Sequence, residues 1–278
     1  MFELIGNTPL LEIPHPNARI LAKWEGRNLT GSSKDRAARA MLEACPLPPG
    51  STIIEATSGN MGISLAALSA VKGYRCVIVM PENMSRERIE RMRAYGAQVL
   101  LTPAAQGMAG AVTLAEKLAA DDGWFYVNQF SNPANVQAHL RTTGPEIWRD
   151  AQGRMDIFVA GVGTGGTVSG VGRFLKSQDP TIQIAAVHPK EGELIPGLGA
   201  GFLPQNLDLS IIDSHIRVAA ADALEAAKTL IHTHGLLVGP SSGAALFAAK
   251  ALADLPENQG KTIVTLLPDT GCRYLSEM

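Results

Sequence analysis

The chain is poor in several things that would assign it to a class at once. It has three cysteines, 5% aromatic residues and no charge excess, its formal net charge being −2. Cys45, Cys76 and Cys272 are odd in number, far apart and without metal-ligand spacing, so neither a disulfide framework nor a zinc site is indicated. Cys45 and Cys76 read as buried packing residues and Cys272 as a near-terminal bystander, a pattern that suits a reducing cytoplasm. No run of about eighteen apolar residues escapes a charge, Gly or Pro, so no membrane span is expected. Glu3, Gly6, Asn7 and Pro9 interrupt the opening residues, so secretion is not expected either. The near-neutral balance gives no electrostatic case for nucleic acid or an anionic membrane, which leaves small molecules as the partners to expect. Among six histidines, His232 and His234 form the one close pair. Two residues apart on a predicted helix, they point to different faces, so no metal site is expected.

What is present is core-forming material, 46% hydrophobic and 18% charged over 278 residues. Short β-branched runs alternate with helical periodicity. The predicted strands are 18–24, 51–55, 76–80, 98–102 and 124–127, then 156–160, 182–187, 216–219 and 262–266. Between them lie predicted helices beginning near Lys34 and over 62–71, 85–95, 107–120, 166–176, 221–234 and 242–252. The 85–95 helix is read with its Arg and Glu residues on the outer face. Such alternation implies parallel pairing with right-handed crossovers. The expected fold is α/β, two doubly wound three-layer αβα halves with mostly parallel sheets, meeting near Asp150 with the reactive groups in the cleft between them. Residues 188–209, rich in Gly and Pro, are too long for an ordinary connection and read as functional or mobile.

Four loops carry the chemistry. In Asn28 to Arg36, a polar, Gly-containing turn leads into Lys34 at a helix's first turn, where the positive end of the macrodipole disfavours a cation and lowers an amine pKa. That suits Schiff-base chemistry; the alternative is a solvated surface lysine helped by Asp35. Gly161-Val162-Gly163-Thr164-Gly165-Gly166 fits the dinucleotide fingerprint, but the next strand ends Val187-His188-Pro189 without the acidic ribose partner. It is then either a phosphate cup, with Thr164 and Thr167 adding hydroxyl donors, or a tight turn. Thr57-Ser58-Gly59-Asn60 and Gly239-Pro240-Ser241-Ser242-Gly243 each open a helix, as an anion-binding N-terminus or as plain caps.

These motifs, with Gly6 to Leu10, Asn128-Gln129-Phe130, Thr143 to Trp148 and Arg273 to Ser276, occur in the order seen in one family. The chain resembles the cysteine synthases (O-acetylserine sulfhydrylases), and over Glu55 to Leu65 their B isozyme. The resemblance implies pyridoxal 5'-phosphate (PLP) fold type II, tryptophan synthase β-like, with a smaller domain over 35–147 and a larger one over 1–34 plus 148–278. It implies that Lys34 is catalytic and carries PLP, and that Gly163, Thr164, Gly165, Gly166 and Thr167 hold the cofactor phosphate. Asn60 then contacts the phenolic oxygen and Ser241 the pyridine nitrogen, where a neutral hydroxyl favours replacement at Cβ over transamination. Thr57, Ser58, Gly59, Met61 and Gln129 fall at the substrate carboxylate, and Gly197 to Phe202 at a mobile loop by the mouth. The implied reaction is β-replacement on O-acetyl-L-serine through an α-aminoacrylate intermediate, with sulfide giving L-cysteine or thiosulfate giving S-sulfocysteine. A cytoplasmic homodimer is implied, with serine acetyltransferase as a possible partner. Rival readings are another fold-type-II reaction on O-phosphoserine or serine, or a non-catalytic partner of serine acetyltransferase. The Gly197 to Phe202 loop carries no cation to suit a phosphate leaving group. Two departures stand out: Met61 replaces a Thr whose hydroxyl would bond the carboxylate, and family members run on past Tyr274-Leu275-Ser276, bearing on the dimer.

Overall fold

The β-branched runs become ten strands among the residues that the computed structural model describes, 1–45, 47–57 and 59–275. They are Leu10–Ile13 (β1), Arg19–Trp24 (β2), Thr52–Ala56 (β3), Arg75–Pro81 (β4), Gln98–Thr102 (β5), Phe125–Tyr126 (β6), Ile157–Gly161 (β7), Gln183–Pro189 (β8), Ser214–Val218 (β9) and Thr262–Leu267 (β10). The helices are Lys34–Ala44 (α1), Asn60–Lys72 (α2), Arg86–Ala94 (α3), Gly107–Asp122 (α4), Pro133–Ala138 (α5), Gly144–Asp150 (α6), Gly166–Gln178 (α7), Ala220–His234 (α8) and Pro240–Ala253 (α9). A π-helical turn, His139–Thr143, joins α5 to α6.

The strands form two sheets, one in the order β1-β2-β10-β7-β8-β9 and one in the order β5-β4-β3-β6. Every pairing is parallel except that of edge strand β1 with β2. Side chains alternate faces along a strand, and both sheets use this to build two cores each. In the smaller sheet Ile53, Cys76, Ile78 and Met80 pack with α1 and α2, while Ile54, Ala56, Val77 and Val79 pack against Ala111 and Ala115 of α4. In the larger sheet Ile157, Val159, Ala185 and Ile263 pack with α8 and α9, while Phe158, Ala160, Ile184 and Val264 pack with α7. Both sheets are therefore three-layered, as expected. A slip of one residue would turn either core face out to water, at about 1.5–3 kcal/mol per large side chain.

The departures from expectation have local causes. The 124–127 run shrinks to β6: Val127 still donates to Ile54 O of β3, but Asn128 takes φ +56° and turns the chain away. Helix α2 begins at Asn60, earlier than the periodicity of its apolar residues. Helices α5 and α6 with the π turn fill a region the strand-helix alternation left unassigned. Cys45 is half-buried rather than buried, because it ends α1; Cys76 is buried and Cys272 exposed, as expected. Helix α3 does not keep all its charges outward: Arg88 is 7% exposed and shares the inner face with Met92, one turn on. No helix among the described residues is long and apolar enough to cross a membrane.

Candidate active site

Lys34 is the first residue of α1, directly after a loop stitched to the other end of the chain. The Ser33 N–H donates to Pro268 O at 2.8 Å and the Thr270 N–H to Gly31 O at 3.1 Å. Asp35 does not help Lys34, because it is buried and accepts from the Thr30 N–H, Thr30 Oγ1 and Ser64 Oγ, each at 2.6 Å. The Lys34 amine has no hydrogen bond or ion pair among the described residues and lines a cavity of about 260 Å³. Its pKa is lowered as expected, but burial is the first cause, with Asp269 and Glu25 opposing. A lysine left unpartnered and desolvated in a cavity is a nucleophile, not a solvated surface group.

Thr57, Gly59, Asn60, Met61, Gln129, Gly163, Thr164 and Ser241 line the same cavity. A recess of about 20 Å³ shares Lys34, Gly163 and Thr164 with it and is lined further by Ser33, Gly165 and Thr167 with apolar neighbours. Gly166 is not among the residues lining that recess. A Cβ on Gly166 would stand 2.1 Å from Asn135 Oδ1, and one on Gly163 2.6 Å from Gly197 O. Gly165, at φ +81°, is the N-cap of α7 and makes no side-chain capping bond. The helix start therefore offers N–H groups and Ser and Thr hydroxyls, with no carboxylate in the lining, which is the donor set a phosphate requires. The residues fit the phosphate end of PLP.

The caps expected as alternatives are not used. Helix α2 has Gly59 as N-cap and α9 has Gly239, neither with a side-chain bond. Both helix starts keep N–H groups for whatever occupies the cavity. Ser58 lies outside the described residues. Ser241 is buried and has no hydrogen bond to another side chain among the described residues. Gln129 is fixed on several sides: its Nε2 donates to Ala56 O at 2.8 Å, its N–H donates to Glu55 Oε2 at 3.0 Å, and its carbonyl accepts from Asn135 and Asn206, both at 2.8 Å. Met61 is 1% exposed and packs into the apolar cluster of α1 and β4 while bordering the cavity. Gly197, Leu198, Gly199 and Ala200 close the cavity from the long 188–209 segment.

Sequence reasoning missed several residues. Arg88 lines the cavity, and its guanidinium lies 4.8 Å from the Tyr274 ring centroid; the signal was there in its spacing of four from Met92. His139 is buried, with Nδ1 3.0 Å from Thr143 Oγ1 and Nε2 3.3 Å from Thr167 Oγ1. Burial, seconded by Lys34 and Arg36, brings its pKa down to about 3, so it meets Thr167 as a neutral ring. Asp269 and Arg273 hold Asn60, by a 2.7 Å bond from Asn60 Nδ2 to Asp269 Oδ2 and one from Arg273 Nη1 to Asn60 Oδ1. No local pattern announces such pairs over that separation. A larger groove of about 680 Å³, lined from α1 by Arg36, Arg39, Ala40 and Glu43, takes in Asn7, Arg36 and Glu146 of the motifs but none of the residues assigned to cofactor or substrate.

Residues 1–269 match the family described as pyridoxal-phosphate dependent enzyme. The chain belongs to it. A cysteine synthase of Staphylococcus aureus (strain Mu50) is 44% identical over 293 aligned residues, covering 99% of this chain and 94% of that one. The crystal structure of a cysteine synthase from Entamoeba histolytica superposes with a TM-score of 0.94 at 41% identity, over 99% of this chain and 88% of the other. An O-ureido-L-serine synthase does so with a TM-score of 0.94 at 38% identity, over 99% and 92%. The cofactor of this enzyme is PLP, and the two-sheet architecture is fold type II.

Proposed function

We propose that this enzyme is a cysteine synthase, making L-cysteine from O-acetyl-L-serine and sulfide by replacement at Cβ. One observation carries the reading above the others: an unpartnered, desolvated Lys34 shares one cavity with a glycine-lined anion recess and a neutral Ser241 hydroxyl. Lys34 would hold PLP, Gly163 to Thr167 its phosphate, Asn60 its ring oxygen and Ser241 its ring nitrogen. Bound PLP supplies an electron sink for negative charge at Cα of the amino acid attached to it.

The protein's own groups do the rest. Burial lowers the Lys34 pKa and so favours the neutral amine, the form that can take the Cα proton. The uncapped start of α2, with Thr57, Ser58 and Gly59, would receive the substrate carboxylate, and Gln129 would border it. Met61 contributes apolar surface where a hydroxyl would otherwise bond, at a cost of about 1.5–3 kcal/mol of grip. The segment around Gly197 shuts water from the reacting Cβ. Arg88 suits an anionic donor, so thiosulfate is read as a second sulfur source, giving S-sulfocysteine.

The same reading takes residues 35–147 as a smaller domain and 1–34 with 148–278 as the larger, with the site between them. A cytoplasmic homodimer, with serine acetyltransferase as a possible partner, belongs to it as well. The purified enzyme loaded with PLP is expected to form L-cysteine from O-acetyl-L-serine and sulfide at least tenfold faster than from O-phospho-L-serine or L-serine. A preference for either of those acceptors, or no turnover of any, would sink the assignment.

A further inference from the structure

Asn60 is held from the far end of the chain by two groups that leave its amide one orientation. A guanidinium has only donors, so the atom facing Arg273 Nη1 must be the amide oxygen, and the nitrogen therefore faces Asp269. Both anchors are fully buried. Each is tied down in turn: Arg273 Nη2 donates to Thr30 O, and Tyr274 Oη donates to Asp269 Oδ2 at 2.6 Å. Asp269 pairs with Ser32 in an isolated antiparallel bridge, so it is fixed to the loop that carries Lys34. A Cβ on Gly239 would stand 2.4 Å from Asp269 Oδ1, so the glycine at the start of α9 is what leaves that carboxylate its place. Asn60 Nδ2 makes a single hydrogen bond among the described residues, so its second N–H is unspent on a residue that lines the cavity.

We infer that Asp269 and Arg273 are positioning residues that fix the Asn60 amide with an N–H turned to the cofactor's ring oxygen. This rests on the reading of Asn60 as that oxygen's partner. An unanchored asparagine would sample both amide orientations and several rotamers, and half of the amide states would present a carbonyl to an anionic oxygen. Anchoring the amide beforehand removes those states before the cofactor arrives, and anchoring it to the Ser32 to Lys34 loop keeps amide and lysine in fixed relation. Residues 269–274 thereby belong to the working site although the ring oxygen's partner is Asn60.

The test uses the absorption spectrum of the full-length enzyme loaded with PLP, because the cofactor with an ionised ring oxygen absorbs at longer wavelength than with a neutral one. Asn60→Ala sets the scale. Asp269→Ala and Arg273→Met are each expected to move the ratio of the two bands several-fold in the same direction as Asn60→Ala. The Asn60→Ala/Asp269→Ala double variant is expected to move it no further than Asn60→Ala alone, as two changes acting through one contact do. Arg273→Lys and Asp269→Asn, which keep a donor and an acceptor, should stay within about twofold of wild type. Should Asp269→Ala fail to fold, the comparison of Arg273→Met with Arg273→Lys decides by itself. Wild-type spectra for Asp269→Ala and Arg273→Met beside a shifted Asn60→Ala would overturn the inference and leave the Asn60 reading standing. An unshifted Asn60→Ala would overturn both.

Discussion

At the scale of single residues, two side chains decide most of the chemistry, and they were legible to different degrees. Lys34 could be picked out because a lysine at a helix's first turn is misplaced as a structural residue. The reason its amine is depressed was not legible, since burial is a property of the folded cavity and not of the helix start. Lys34→Ala is expected to lower the rate of cysteine formation by about a hundred- to ten-thousandfold, measured in steady state, with the fold intact by circular dichroism. Met61 was legible as a departure, but its burial in the cluster of α1 and β4 was not. Met61→Thr exchanges packing for a hydroxyl. It should lower KM for O-acetyl-L-serine several-fold while costing roughly 1–3 kcal/mol of stability in urea melts; an unchanged KM would mean that backbone donors already saturate the carboxylate.

At the scale of elements, the turns leading into α2, α7 and α9 are the proposed binding turns, and none of their N-cap residues makes a side-chain capping bond. The glycine pattern of the α7 turn was readable, since it follows a strand and opens a helix. What the pattern could not give was Asn135, which fills the space behind Gly166 and ties Gln129 O to Thr164 Oγ1, at 2.8 and 3.0 Å. Gly166→Ala drives its Cβ into Asn135, and the affinity for PLP, titrated by fluorescence of the apoenzyme, is expected to fall at least tenfold. Strand β3 carries a second consequence. Burial raises the Glu55 pKa from 4.5 to about 8, against the Gln129 N–H that bonds its carboxylate. A folded pKa above the unfolded one means that the folded state holds the proton more tightly, so this contribution is complete below pH 4.5 and is lost as pH rises through about 8. Urea midpoints should decline from pH 6 to 8.5 more steeply in wild type than in Glu55→Gln, and parallel slopes would remove Glu55 from the pH response.

At the scale of the whole molecule, the strand and helix alternation predicted the two three-layer sheets well, because buried parallel strands read as short apolar runs whatever their partners. Strand order and the contacts across the chain were not readable, since many of them join residues a hundred or more positions apart. A buried ion cluster shows this. Arg36 of α1 bonds Glu25 at 2.6 Å and Glu146 of α6 at 2.7 Å, and Lys23 of β2 lies 3.0 Å from both Glu146 and Asp150. Breaking such a cluster leaves buried charge uncompensated, so Arg36→Met is expected to cost about 3–5 kcal/mol in denaturant unfolding. Burial would raise the Glu146 pKa, but the Arg36 bonds outweigh it and hold it at about 2. Its contribution to stability is therefore present above pH 4.5 and is lost as pH falls towards 2, so Arg36→Met should flatten the acid limb of the stability profile.

The measurement that bears most directly on Lys34 and the elimination half of the reaction is the visible spectrum of PLP-loaded wild type and Lys34→Ala, before and after O-acetyl-L-serine without sulfide. A lysine-dependent band in wild type that moves to longer wavelength on adding substrate, and returns when sulfide is supplied, is the expected result. A lysine-dependent band that ignores O-acetyl-L-serine would contradict the substrate, and a band that persists unchanged in Lys34→Ala would contradict the lysine.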